Sequence, residues 1–205
     1  MPLRDRNTLL VAAGYAPVFP QRALDDPALR QARAAVDLVL KGHEPYPALA
    51  IDRHWTLLAA NRAVAPLLAG ARPALLEPPV NVLRLSLHPD GLAPRIANLA
   101  EWRAHLLERL RQQIEITADA KLIALREELR ALPAPISRTP PPPDRFAGIV
   151  VPLQLVTETG TLSMLSTTTV FGTPVDVTLS ELAIESFFPA DAATAQAMQR
   201  LATRG

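Results

Sequence analysis

A proline-rich segment divides the chain into two parts of different character. Residues 133–144 read PAPISRTPPPPD, and four of these prolines are consecutive. Proline has a fixed φ and no amide hydrogen, so such a run enters neither a helix nor the interior of a sheet. We therefore predict an extended loop over 133–144, with a mainly helical part before it and a mainly β part after it.

Helical patterns dominate the first part. Asp26-Pro27 is a helix-start signal, and Gly42 stands where a helix-ending glycine belongs. Two short β patterns, 48–52 and 55–60, are separated by a two-residue turn. The predicted helices are 3–13, 27–41, 62–68 and a long helical region that starts near Leu92 and breaks near Thr117.

Alternating apolar residues mark the second part as β structure. Residues 149–155 and 162–170 alternate and enclose a turn, and 182–188 form a last strand before a helix that runs to Ala202. A hairpin, a helical insert and three further strands form one antiparallel sheet of about five strands, with helices covering one face. We predict this α+β, PAS-like fold, which leaves room for a ligand between its layers.

Composition excludes several classes of function. The chain has 205 residues, a formal net charge of +1 and no cysteine. The charge balance gives no electrostatic footprint for nucleic acid. Disulfides, thiolate nucleophiles and cysteine-ligated metals are excluded. No apolar run approaches the ~18 residues that span a bilayer, and the start lacks the apolar core of a signal peptide. We expect a soluble, cytoplasmic protein without a membrane partner.

The four histidines provide no metal-binding pattern. No pair has the spacing that places two imidazoles on one helix face, so we assign no metal site. We interpret His43 as a helix-end residue, His54 as an exposed turn residue and His105 as part of a surface ion pair. His88, which precedes a Pro-Asp-Gly turn, is a candidate for the rim of a pocket.

Two arginines in apolar surroundings are candidates for binding an anion. Arg84 lies within the apolar run 82–87, and Arg95 precedes a helical stripe of apolar residues. Such an arginine reaches water, pairs with an acid such as Asp52 or Glu101, or binds a ligand carboxylate. The ligand hypothesis places the head group of an amphiphile at Arg84 or Arg95.

Three further residues are candidates for the same ligand. Trp102 and Leu106 belong to a helical stripe that is first of all core, but that also suits the wall of a cavity. Thr168 stands in a run of hydroxyl residues, 166–169, which is first of all a strand preference. A buried hydroxyl needs a partner, and a polar head group is one.

Several motifs in order resemble the ligand-binding domain of MmyB-like transcription regulators. The segment 55–61 (WTLLAAN), preceded by 45–49 (PYPAL), resembles its opening hairpin, and 81–84 (NVLR) followed by Trp102 resembles the next motif. Residues 171–177 (FGTPVDV) and 184–191 (IESFFPAD) resemble its end. Carried over by position, the matching residues are Trp55, Asn61, Asn81, Arg84 and Trp102.

The resemblance implies a PAS-like sensor domain that follows a helix-turn-helix domain and whose pocket is associated with a fatty acid. The N-terminal segment, with 2–7 (PLRDRN) and 12–15 (AAGY), resembles the connector between the two. We therefore expect residues 1–20 to be that connector and residues 21–205 to be the sensor domain. We expect the DNA-binding domain to lie outside this sequence, and we expect contact with DNA only through that domain.

Three functions remain open at this stage. The leading one is a non-enzymatic regulatory domain that needs no cofactor, binds a small amphiphile such as a long-chain fatty acid, and forms a homodimer. The second is a protein-interaction or dimerisation module without a ligand. The third is a small α+β enzyme, which would need a base such as His88 near an acid.

Overall fold

A computed structural model describes residues 1–133, 150–158, 160–172, 174 and 176–204. Apart from Pro133, the predicted loop 133–144 lies outside the described residues, as does the start of the strand predicted from residue 149. The α-helices are α1 (Leu3–Ala12), α2 (Arg30–Gly42), α3 (Val82–Leu87), α4 (Leu99–Thr117), α5 (Ala120–Ala131), α6 (Val177–Ser180) and α7 (Ala192–Arg204). The strands are β1 (Ala48–Ile51), β2 (Leu57–Ala60), β3 (Leu153–Thr157), β4 (Gly160–Val170) and β5 (Ala183–Pro189).

The five strands of the described chain form one antiparallel sheet in the order β2-β1-β5-β4-β3. β1 and β5 are neighbours although they are far apart in sequence, with Leu49 opposite Glu185 and Ala50 opposite Ile184. The helices between β2 and β3 are therefore an insert that folds back over the sheet. This confirms the predicted α+β sheet with a helical layer on one face; the narrower PAS-like description stays a prediction.

The helical layer packs on the sheet through the predicted apolar stripe. Trp102, Leu106 and Leu110 of α4 are buried, and they pack in one core with strand residues such as Leu155 and Met164. The predicted break between α4 and α5 is also present. Ala118 there adopts a left-handed conformation (φ 49°), and the Asp119 side chain caps α5 by accepting a hydrogen bond from a backbone amide.

The opposite face of the sheet carries a second, smaller core at β1 and β5. Val36 and Leu40 of α2 pack there against Ala48, Ala50 and Ile184. Two alanines on the strand let the helix approach closely, since their side chains are short. The sheet is thus covered on both faces at this end, which the sequence analysis did not anticipate.

Several element boundaries differ from the prediction. The predicted helix 62–68 is a 3-10 turn, Ala65–Leu68, because Pro66 cannot donate a backbone hydrogen bond. The long helical region begins with another 3-10 turn, Ala93–Arg95, before α4 starts at Leu99. Helix α3 was not predicted: its run of six residues is too short for a clear helical period.

Candidate ligand cavity

A cavity of about 100 Å³ lies between the inner face of the sheet and the helices of the insert. Ser86, Arg109 and Glu185 are the polar or charged members of its wall. The residues that line it are Pro47, Leu49, Trp55, Leu57, Val64, Leu67, Leu68, Val82, Leu83, Leu85, Ser86, Leu92, Trp102, Leu106, Arg109, Leu153, Leu155, Met164, Glu185 and Phe187.

Two tryptophans form part of this wall, and both indole N–H groups already have partners. Trp102 Nε1 donates to Ser86 Oγ at 3.0 Å, and Trp55 Nε1 donates to Gln113 Oε1 at 2.9 Å. Polar groups of buried tryptophans usually need such a partner. Since both are satisfied within the protein, the rings present apolar surface to a ligand.

The backbone of Trp55 is held in an uncommon conformation beside the cavity. Its φ is 67°, in the left-handed region that a bulky side chain rarely adopts. The Asp52 carboxylate accepts hydrogen bonds from the amides of His54 and Thr56 on either side, both at 2.8 Å. Val82 N donates to Trp55 O at 2.9 Å. These contacts offset the backbone strain at Trp55, which is about 1–3 kcal/mol for such a conformation. Strained residues of this kind cluster at functional sites.

One end of the cavity carries a charged pair. Arg109 of α4 donates to both carboxylate oxygens of Glu185 on β5, at 2.7 and 3.3 Å. Thr168 on β4 donates its hydroxyl to Glu185 at 2.6 Å and accepts from Arg109 at 3.0 Å. The guanidinium carbon of Arg109 lies 4.8 Å from the centre of the Trp55 ring. The cavity therefore ends in a fixed set of hydrogen-bond donors and acceptors.

This polar end lies close to the protein surface. The Glu185 side chain is only 5 % exposed, but that of Arg109 is 26 % exposed and Thr168 is an exposed residue. His105, one turn before Arg109, stacks on Trp102 with the ring centres 5.5 Å apart. Burial, and then the neighbouring Arg109 charge, lowers the pKa of His105. An apolar interior with one polar end near water is the shape that suits an amphiphile.

Most of the chain matches the sequence model of a known protein family. Residues 32–201 match the MmyB-like transcription regulator ligand binding domain. The chain belongs to this family. The matched segment contains every residue of the cavity wall, whereas α1 precedes it. No curated protein matches the chain.

Family membership makes this a ligand-sensing regulatory domain of the kind found in transcription regulators. The described residues of the MmyB-like domain contain no group of three or more His, Cys, Asp or Glu side chains placed to hold a metal ion. Among the helices of the described residues, none has the length and hydropathy that crossing a bilayer requires.

Four of the predicted site residues lie at the cavity of the MmyB-like domain. Trp55, Trp102 and Leu106 are in its wall, and Thr168 is hydrogen-bonded to its charged pair. Leu106 is buried on α4 one turn after Trp102, as the stripe indicated.

The two arginines predicted to meet a head group point elsewhere. Arg84 makes a two-pronged ion pair with Glu128 of α5, at 2.6 and 2.7 Å. Arg95 donates to the backbone carbonyls of Val156 and Ala69. Neither is among the described residues that line the cavity. Arg109 is instead the arginine in the described cavity wall, because α3 turns Arg84 toward α5 rather than toward the sheet.

The other predicted residues have structural partners outside the cavity. Asn61 donates to Leu40 O and Tyr46 O, at 3.0 and 2.8 Å, and accepts from Ala48 N. Asn81 caps α3 by accepting from Arg84 N at 3.0 Å. His88 Nδ1 accepts from Asp90 N at 3.0 Å within its turn. These contacts hold the hairpin and the start of α3 in position.

Two of the histidine interpretations also change. His54 is half-buried, with Nε2 3.0 Å from an Asp119 carboxylate oxygen, because the α4–α5 junction lies against its turn. His105 is half-buried on Trp102 rather than paired at the surface.

Arg109 and Glu185 are functional candidates that the sequence analysis missed. Arg109 follows Trp102 by seven residues and Leu106 by three, so it continues the same face of α4. Glu185 is an acid inside the apolar strand pattern IESFF. The signal in the sequence was a charged residue at a position where the surrounding pattern favours an apolar one. Their pairing across 76 residues of sequence was not visible from local spacing.

Proposed function

We propose that this domain senses a small amphiphile, such as a long-chain fatty acid, bound with its tail in the leucine- and tryptophan-lined cavity and its head at Arg109, Glu185 and Thr168. The observation that supports this most directly is an apolar cavity with one end closed by a charged pair near the surface. Burial of ~10 methylenes at ~0.8 kcal/mol each is sufficient for micromolar affinity after the costs of association.

The size of the cavity adds a requirement to this proposal. Its volume of about 100 Å³ is below the roughly 300–1,000 Å³ of ordinary ligand sites. A long chain therefore binds only when side chains of the wall move apart. A ligand that prefers a wider cavity shifts the domain toward a second conformation, which is what a sensor needs.

The charged pair sets a condition on the head group. Glu185 already occupies two N–H groups of Arg109, so the pair offers a ligand carboxylate no net positive charge. A carboxylate must share Arg109 with Glu185 against their mutual repulsion. An alcohol of the same length meets no such repulsion.

A chain of hydrogen bonds connects the cavity wall to α1. Trp55 donates to Gln113, whose side-chain amide donates to Arg53 O at 2.8 Å. The Arg53 guanidinium donates to Glu181 at 3.2 Å. Glu181 in turn accepts two hydrogen bonds from Arg4 of α1, at 2.7 and 2.9 Å. A ligand that displaces Trp55 would therefore change the contacts that hold α1, and through α1 the position of an attached DNA-binding domain.

Dimerisation is part of the proposal because α1 is poorly covered. None of its residues is buried, and Leu9 and Val11 are each 57 % exposed. Exposed apolar side chains of this kind suit contact with a second copy. Light scattering with and without lipid distinguishes a ligand-controlled dimer from a pure dimerisation module, in which lipid has no effect.

Native mass spectrometry of the purified and delipidated protein tests the proposal. We expect one fatty acid or fatty alcohol per domain after titration. Glu185→Gln should tighten binding of the acid, because Arg109 is then unshared, while binding of the matched alcohol stays within about twofold. Absence of binding by every acid and alcohol, with the wild-type fold intact, would refute the proposed function.

A further inference from the structure

A second apolar space lies directly outside the cavity. It is a groove of about 330 Å³ between the 3-10 turn Ala65–Leu68 and helix α7. Met198, Leu201 and Ala202 of α7 form one side of it, and Pro66 and Leu67 are on the other. An ion pair between the exposed Arg62 and the partly buried Glu44, 2.8 Å apart, lies at its rim.

Two residues separate the groove from the cavity, since Pro47 and Leu67 line both. The backbone of Pro47 is anchored to the sheet, because its carbonyl accepts from Phe187 N at 2.9 Å. Leu67, a residue that is 9 % exposed, is held by its packing in the core and by the short 3-10 turn. A change of the Leu67 side-chain rotamer would join the two spaces with less movement than a shift of the Pro47 backbone.

The strand direction aligns the charged pair, the cavity and the groove. Glu185 at the polar end and Phe187 lie two residues apart on β5, both in the cavity wall, and so on the same face, about 7 Å apart. Phe187 then contacts the backbone of Pro47, beside the groove. A chain with its head at Arg109 and Glu185 would therefore point its tail at Pro47 and Leu67.

We propose that the distal part of the acyl chain passes between Pro47 and Leu67 into the groove beneath α7, so that Leu67 sets the length of chain the domain accepts. This inference rests on the proposed function. It also resolves the shortage of space, because the groove and the cavity together fall within the usual range of ligand-site volumes, whereas the cavity alone does not.

The groove is built to receive methylene groups. Met198 is 3 % exposed and belongs to the same hydrophobic core as Leu67. Thr194 anchors α7 to β4 by accepting from Ser163 N at 3.0 Å. Each methylene that enters this space should tighten binding by roughly fourfold. Occupancy of the groove would also bring the ligand into contact with a helix that does not line the cavity.

A series of saturated acids from octanoate to palmitate, titrated into the delipidated full chain, tests the inference. We expect Leu67→Ala to tighten palmitate several-fold more than octanoate, and Leu67→Trp to weaken palmitate at least tenfold more than octanoate, because Leu67 lines the groove as well as the cavity. Leu68→Ala is the matched control, because Leu68 lines the cavity but not the groove. It should change octanoate and palmitate alike. Thermal melts identify any variant that does not fold.

A palmitic acid with a photoreactive diazirine at its terminal carbon gives a second readout on the unmodified chain. We expect peptide mapping to place the adduct in residues 198–202, on α7. Adducts confined to the cavity wall, or equal effects of Leu67→Trp on short and long acids, would overturn the inference and leave the proposed function standing. Failure of the wild type to bind any of these acids or the fatty alcohols of matched length would overturn both.

Discussion

Removing Arg109 should destabilise this domain far more than removing Glu185, its partner. The Glu185 side chain is 5 % exposed, whereas that of Arg109 is 26 % exposed. In Arg109→Leu the carboxylate stays buried without a cation. In Glu185→Leu the remaining guanidinium can turn part of its surface to water. The asymmetry therefore follows from the different exposure of the two charges.

The magnitude follows from the contacts of the pair. Breaking a buried ion pair by removing one partner costs about 3–5 kcal/mol. We expect the lower limit, ~3 kcal/mol, for Arg109→Leu, because Thr168 still donates to Glu185 at 2.6 Å. We expect ~1 kcal/mol for Glu185→Leu. The double variant should lie within about 1 kcal/mol of wild type, since apolar replacement of both charges is often neutral.

Urea unfolding of the four proteins measures these values as a double-mutant cycle. For a domain of this size, ~3 kcal/mol corresponds to a fall in Tm of roughly 6–12 °C. Two single variants of equal stability would refute the argument from exposure. A double variant whose loss equals the sum of the single losses would refute the pair itself.

Three further predictions concern contacts outside the cavity. Arg84→Ala removes an exposed ion pair with Glu128 and should cost less than ~1 kcal/mol in urea unfolding without changing ligand affinity; a fall in affinity would restore Arg84 as a ligand residue. Asn61→Ala removes three hydrogen bonds to backbone groups, those with Ala48 N, Leu40 O and Tyr46 O, and should cost ~2–3 kcal/mol at about 1 kcal/mol each, with native-like affinity in the folded protein. Burial raises the pKa of Glu181, but the hydrogen bonds and positive charges of Arg4 and Arg53 together outweigh burial and hold that pKa below its ordinary value of 4.5. The ionised Glu181 therefore stabilises the fold above pH 4.5, and this stabilisation is lost below that pH. In urea unfolding at pH values from 6 to 3, the free energy of unfolding should fall less for Glu181→Gln than for the wild type. An equal fall in the two proteins would contradict this.

Local sequence patterns predicted the structure correctly wherever it depends on residues that are close together in the chain. The apolar stripe with Trp102 and Leu106, the break before Asp119 and the succession of two strands, a helical insert and three strands along the chain were all predicted. Each depends on periodicity or capping within a few residues. The short helix α3 and the 3-10 turn at Pro66 were missed or misassigned, since runs this short carry no reliable period.

The sequence alone therefore determined the fold class, the family and the helix face that lines the cavity. It did not determine which arginine stands at the polar end. Arg84, Arg95 and Arg109 all lie in apolar surroundings, and local spacing does not separate them. Only the packing of α3 on α5 directs Arg84 to Glu128, and only the pairing of β5 with β1 and β4 brings Glu185 opposite Arg109. Contacts between residues so far apart in the chain are set by how layers pack, and that information lies in no single segment.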